Sequence, residues 1–192
     1  SYVNENDLQF SCKIKPSLFE TNTVLLKKEP DLIEYSAFYG SLNIIKHLHS
    51  NKIELKPALW LYAIHSGKIE LIHYLAQEKV ELSDKSYEIY LKEAIKCHHN
   101  DIANYFLNKY LNNQVEFDHY LSDNFNRNYV SYGFHYYNFQ YLPDDINSRL
   151  AFLYSCQYDH YNLVELLLKN KNIDPNSQVI LFCLINITKY IK

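Results

Sequence analysis

Leu59-Trp60-Leu61-Tyr62-Ala63-Ile64-His65-Ser66-Gly67-Lys68-Ile69-Glu70-Leu71-Ile72-His73-Tyr74-Leu75 reads as an apolar helix, a glycine turn and a second apolar helix. The same phrase stands 27 residues upstream, turning on Gly40: Leu32-Ile33-Glu34-Tyr35-Ser36-Ala37-Phe38-Tyr39-Gly40-Ser41-Leu42-Asn43-Ile44-Ile45-Lys46-His47-Leu48. Repetition at this length marks a stacked array whose units bury their apolar faces against one another.

Aligned on the turn residue, two further units follow, one turning on His98 (Leu91 to Phe106) and one on Asp159 (Ala151 to Leu167). The turn needs a left-handed residue, for which Gly is best suited and Asn, Asp or His less so. Small or short residues recur in the first helix of each unit, at Ser36-Ala37, Ala63-Ile64, Ala94-Ile95 and Ser155-Cys156, where they allow close helix packing. In the second helix the apolar pairs Ile44-Ile45, Leu71-Ile72, Ile102-Ala103 and Leu163-Val164 are followed one turn later by Leu48, Leu75, Phe106 and Leu167. That spacing predicts one buried stripe per helix. The tails Lys52-Ile53-Glu54-Leu55, Lys79-Val80-Glu81-Leu82 and Asn172-Ile173-Asp174-Pro175 read as connectors that project between units.

Small residues, a turn Gly, a polar residue, an acidic or amide position and then apolar-apolar-x-x-Leu together resemble the ankyrin repeat. Its second half runs A-A-x-x-G-H-x-E-I-V-x-L-L-L and continues G-A-D-V-N. His99 and His160 fall on the family's His, and Glu70 and Asp101 on its acidic position. The stretch from Asp31 to Phe106 more closely resembles the divergent ankyrin-type domain of unknown function abundant in anaerobic protist proteins. The phrases that carry this are Trp60-Leu61-Tyr62-Ala63-Ile64-His65, Ala94 to Ala103 and Phe134-His135-Tyr136-Tyr137-Asn138-Phe139. The T-P-L-H opening is missing throughout, and the tails lack G-A-D.

The expected fold is therefore all-α, an ankyrin-like solenoid of about five stacked helix-turn-helix repeats. Its expected divisions are residues 1–30 as cap and partial repeat, 31–111 as three repeats, 112–148 as loop and degenerate repeat, and 149–192 as a repeat and a truncated final one. His98 and Asp159 are 61 residues apart, about two repeat lengths, so a degenerate unit is centred on Tyr137-Asn138. Its first helix is expected over Tyr129 to Tyr136 and a short second one over Asn138 to Leu142, halted by Pro143. Asn112 to Asn128 reads as a long loop or inserted helix, Ser1 to Pro16 as a cap, and Thr23 to Lys28 as a second helix. Val179 to Ile187 starts another first helix whose partner is not in the sequence, which predicts a longer parent protein.

The 192 residues are 47% hydrophobic and 21% charged with a net charge of −3, an ordinary composition for a folded chain without a basic footprint for nucleic acid or anionic membrane. The 19 Tyr and the frequent Asn, Ile and Lys read as coding bias, although they supply amphipathic rings to any exposed face. Four dispersed cysteines, Cys12, Cys97, Cys156 and Cys183, form no CxxC pair and fit a reducing compartment. No run of about 18 apolar residues marks a membrane span.

Cys97-His98-His99 with Asp101 is the densest set of metal-ligand types. Its consecutive side chains diverge and no second Cys/His pair stands at zinc spacing, so an inter-helix turn followed by the ankyrin-type His accounts for it. Ser66-Gly67 and Ser131-Tyr132-Gly133 lack the frame of a nucleophile elbow. Three scattered glycines make no phosphate cradle. The aromatic run Tyr129 to Tyr141 suits either core or an interface, and Trp60 falls on an inter-repeat core position. Lys27-Lys28-Glu29 and Lys169-Asn170-Lys171 read as solvated helix ends.

The expected function is non-enzymatic protein–protein binding as a scaffold or adaptor, with no cofactor, no metal, no small-molecule substrate, and no direct contact with nucleic acid or membrane. The ankyrin resemblance implies partner contacts at the tail residues Lys52, Glu54, Lys79, Glu81 and Asp174 and at the first-helix residues Glu34, Tyr35, Tyr62 and His65. The implied location is cytoplasmic. A structural role in a large assembly, such as flagellar microtubules or a ribosome-associated particle, is the alternative and carries a cytoskeletal location. A metal-dependent enzyme is the remote one.

Overall fold

The computed structural model describes residues 13–15, 20, 22, 25, 29–83, 87–113, 129–142, 146 and 148–169. Every regular element among them is a helix, and one isolated antiparallel bridge joins Lys13 to Asp31. The expected cap, the helix over Thr23 to Lys28, most of Asn112 to Asn128, the tail with Asp174 and the helix from Val179 lie wholly or largely outside the described residues. The chain divides into two compact units, Ser1–Val115 and Glu116–Lys192.

The first unit holds three helix pairs: α1 (Leu32–Phe38) with α2 (Leu42–Ser50), α3 (Leu59–Ser66) with α4 (Ile69–Gln77), and α5 (Glu88–Lys96) with α6 (Asn100–Asn113). Each first helix packs on its own partner and on the next first helix, α1 on α3 and α3 on α5. Helices this short are marginal alone, so packing rather than propensity holds them. α1 has in addition a complete capping box: the Glu34 amide donates to Asp31 Oδ1 and the Asp31 amide to Glu34 Oε2, each at 3.0 Å.

The small first-helix residues are where the helices meet: Ser36, Ala37, Ala63, Ala94 and Ser155 are all buried. The Ser36 and Ser155 hydroxyls donate back to the carbonyls of Leu32 and Ala151, at 2.7 and 2.6 Å, so a buried polar atom is satisfied within its own helix. The second-helix stripes are fully buried in α4 (Leu71, Ile72, Leu75) and α6 (Ile102, Ala103, Phe106). Burying each such aliphatic side chain is worth about 1.5–3 kcal/mol. Two departures from the expected stripes occur: Ile44 is 48% exposed, and Leu163, Val164 and Leu167 are only half-buried. Ile44 borders an open cleft together with Leu42, Lys68 and Glu70.

Trp60 lies between units as its alignment predicts. It is buried, stands edge-on to Phe106 at 6.0 Å, and its Nε1–H donates to the Val80 carbonyl at 3.2 Å. Phe106 in turn stacks on Tyr90 at 5.3 Å.

The second unit contains a helix over 129–135 (α7), a short 3-10 turn at Phe139–Tyr141, and the pair α8 (Ser148–Gln157) and α9 (Tyr161–Lys169). Val130, Phe134, Ala151 and Tyr154 form its core, with Tyr129, Leu142, Ile146 and Leu150 packed around them. The expected short second helix is thus a three-residue 3-10 turn. Leu142 beyond it is extended (φ −75°, ψ 144°), the conformation that a following proline imposes. The aromatic run divides: Phe134 is core, whereas Tyr137 and Phe139 are exposed.

Candidate functional site

Five inter-helix turns share one geometry. Gly40, Gly67, His98, Tyr137 and Asp159 all have left-handed φ, between 58° and 67°. In each, the turn residue's amide donates to the carbonyl three residues before it. At Gly40, His98, Tyr137 and Asp159 the following amide also donates to the carbonyl five residues before it, which completes a Schellman motif. At Gly67 the next amide, of Lys68, donates instead to Ser66 Oγ at 3.1 Å.

After three of these turns the next residue, Lys68, His99 or His160, reaches back to the turn before it. A Cβ on Gly40 would meet Lys68 Cγ at 2.5 Å, and one on Gly67 would meet Cε1 of His99 at 2.5 Å. In the second unit His160 stands edge-on to Tyr137 at 4.5 Å and its Nε2 pairs with the Phe134 carbonyl at 2.8 Å. A carbonyl only accepts, so Nε2 carries the proton. His99 and His160 thus each close one helix pair against the turn before it.

The two described tails are also alike. Lys52 and Lys79 are left-handed (φ 66° and 55°), and the amides of Ile53 and Val80 donate to Leu48 and Leu75 at 3.1 and 3.0 Å. Lys52, Glu54, Lys79 and Glu81 are exposed, while the intervening Ile53, Leu55, Val80 and Leu82 are half-buried. The backbone therefore presents the same exposed Lys-x-Glu pair at one register in consecutive units.

The first-helix residues expected at an interface are engaged within the chain. Glu34 serves the capping box, and the Tyr35 hydroxyl donates to Glu20 Oε2 at 3.2 Å. Tyr62 is only 5% exposed, and burial first, then Glu34 and Asp31, pushes its phenol up to about 12. His65 is half-buried between α1 and α5. Its ring stacks on Phe38 at 5.3 Å, its Nε2 lies 3.0 Å from Glu93 Oε1, and its Nδ1 lies 3.5 Å from Cys97 Sγ. Lys96 Nζ approaches the same Glu93 oxygen at 2.9 Å. The Cys97 sulfur and then the Glu93 carboxylate raise the imidazole to about 9, against the opposing effect of burial. Glu93 is lowered to about 2, chiefly by its hydrogen bond to His65 and then by that to Lys96.

Cys97, adjacent to two histidines in sequence, thus pairs with a third from the preceding unit. His99 turns to Gly67 and His98 is exposed. Donor atoms of His65, Glu93 and Cys97 lie within 4.8 Å of one another, and the two ring nitrogens link the sulfur and the carboxylate in one hydrogen-bonded chain. Sequence reading missed this cluster. Its signal is the i, i+4 spacing of Glu93 and Cys97, which sets both on one face of α5.

Among the described residues no helix is long and apolar enough to cross a membrane. No family model, curated protein or solved structure matches the chain.

Proposed function

We propose that the chain is a non-enzymatic protein-binding scaffold of ankyrin-like type, whose contact edge is the row of exposed tail residues Lys52, Glu54, Lys79 and Glu81. The observation that carries this reading is the recurrence of the exposed Lys-x-Glu pair. Two identical charge pairs, each fixed by a left-handed lysine and a half-buried anchor on either side of the glutamate, form a spaced pattern that a partner contacts at several points together. The repeated turns support the array, because one turn geometry recurring along the chain is how stacked pairs keep a constant pitch. Ile44, exposed beside Leu42, Lys68 and Glu70, adds an apolar patch to the charged row.

The test is affinity purification of the tagged chain from native extract with quantitative mass spectrometry, in parallel with the fourfold charge reversal Lys52→Glu, Glu54→Lys, Lys79→Glu and Glu81→Lys. A stoichiometric partner that the reversed variant loses, with an unchanged circular dichroism spectrum, is the expected result. Recovery of no stoichiometric partner, or equal recovery by both proteins, overturns the proposal.

A further inference from the structure

The packing of α5 on α3 creates a thiol environment that a binding scaffold does not need. Cys97 closes α5 with φ −81° and ψ 0°, and Glu93 precedes it by one helical turn, so both side chains face α3. One imidazole bridges them: His65 Nδ1 is 3.5 Å from the sulfur and Nε2 is 3.0 Å from the carboxylate. The carboxylate can only accept, so Nε2 carries a proton and the ring is oriented with Nδ1 toward the sulfur. Phe38 stacks on the ring at an interplanar angle of 28°, and Lys96 holds the Glu93 oxygen at 2.9 Å, so neither member of the pair is free to turn away. Side-chain exposure is 18% at His65 and 20% at Glu93, and Cys97 is half-buried. The cluster is thus shielded in part from water, and Cys97 is not fully enclosed.

We infer that Cys97 is a peroxide-reactive thiol with His65 as its proton partner. The thiolate is the nucleophilic form of cysteine, and an imidazole held against the sulfur is placed to take the thiol proton and become the imidazolium. In the reaction the sulfur attacks one oxygen of hydrogen peroxide, an S–O bond forms and the O–O bond breaks. The leaving hydroxide takes the proton of the His65 imidazolium and departs as water. Sulfur loses two electrons to the peroxide, and the products are a sulfenic acid, a neutral imidazole and one water. His65 thus acts twice, as the cation beside the attacking sulfur and as the acid for the leaving group.

Other thiol chemistry fits less well. The amides of Cys97, His98 and His99 already donate to Glu93, Ile95 and Ala94, so the turn has no amide pair free to hold an oxyanion, and acyl transfer is unsupported. The thiol also stands at the C-terminal end of α5, whose partial negative charge opposes a thiolate. Reactivity here therefore depends on His65 rather than on the helix.

The experiment exposes the reduced 192-residue chain to hydrogen peroxide with dimedone as the sulfenic-acid trap, and follows the Cys97 peptide by mass spectrometry. The native chain is expected to trap at Cys97 about tenfold faster than the same chain unfolded in urea, and about tenfold faster than folded His65→Gln. A native rate equal to or below that of the unfolded chain overturns the inference, as does an unchanged rate in His65→Gln with wild-type circular dichroism. If His65→Gln does not fold, the ratio of native to unfolded rates in the wild-type chain decides alone.

Discussion

Gly67→Ala separates two demands that the second turn makes on its glycine. The first is conformational, since φ is 67° and an alanine pays about 1–2 kcal/mol in the left-handed region. The second is steric, since the new Cβ would stand 2.5 Å from Cε1 of His99 and 2.9 Å from both ring nitrogens. Ordinary contact requires the ring to retreat by roughly 1 Å, and overpacking of this kind costs about 1–3 kcal/mol. Stiffening of the unfolded chain returns about 0.4–1 kcal/mol. The net expectation is a loss of about 1–5 kcal/mol. In a His99→Ala background the steric part vanishes and Gly67→Ala costs only about 1 kcal/mol, a coupling of about 1–3 kcal/mol between the two sites. Trp60 is the chain's single tryptophan and lies buried in the same unit, so urea unfolding followed by its fluorescence reads the relevant transition. A Gly67→Ala variant within about 0.5 kcal/mol of wild type would refute the reasoning, and so would an equal cost in both backgrounds.

The His65–Glu93 pair gives stability a defined pH window. His65 is raised from 6.5 to about 9, so its contribution is complete below pH 6.5 and is lost as pH rises through about 9. Glu93 is lowered from 4.5 to about 2, so its contribution is complete above pH 4.5 and is lost as pH falls through about 2. The urea midpoint of Trp60 fluorescence is expected to be highest between these limits and to fall by the equivalent of about 2 kcal/mol toward pH 9, with the alkaline fall reduced in Glu93→Gln; an unchanged alkaline fall in that variant contradicts the assignment. In the second unit the buried Tyr141 hydroxyl has no hydrogen-bond partner among the described residues. Tyr141→Phe removes an orphaned polar atom and is expected to stabilise by about 1 kcal/mol in thermal unfolding; a loss of more than about 1 kcal/mol would show that the hydroxyl is paired.

Much of the local structure was legible because turns and helix faces obey short-range rules. Gly40, Gly67, His98 and Asp159 follow from spacing and from tolerance of left-handed φ, and the weak unit at Tyr137-Asn138 from the length of the gap together with the phrase Phe134 to Phe139. Trp60 was placed between units by its register. What escaped the sequence depends on contacts between units. Ile44 occupies the same register as Leu71, yet it is exposed beside Lys68 and Glu70 while Leu71 is buried, and no periodicity encodes that difference. Glu34, Tyr35, Tyr62 and His65 look available on a helical wheel, but their partners are Asp31, Glu20, the core and the Glu93–Cys97 pair. The spacing of Glu93 and Cys97 was visible in one helix, while the imidazole between them arrives from 28 residues upstream of Glu93.

The backward reach of Lys68, His99 and His160 gives each unit a front and a back. An incoming pair carries its own fastener, and the pair before it needs only to offer a turn. Gly40 and Gly67 meet that requirement with no side chain at all, and Tyr137 meets it with an aromatic ring. Such an arrangement lets a module be duplicated or excised without redesigning its upstream neighbour. It also explains how the turn residue can drift from glycine to tyrosine while the plan of the chain persists.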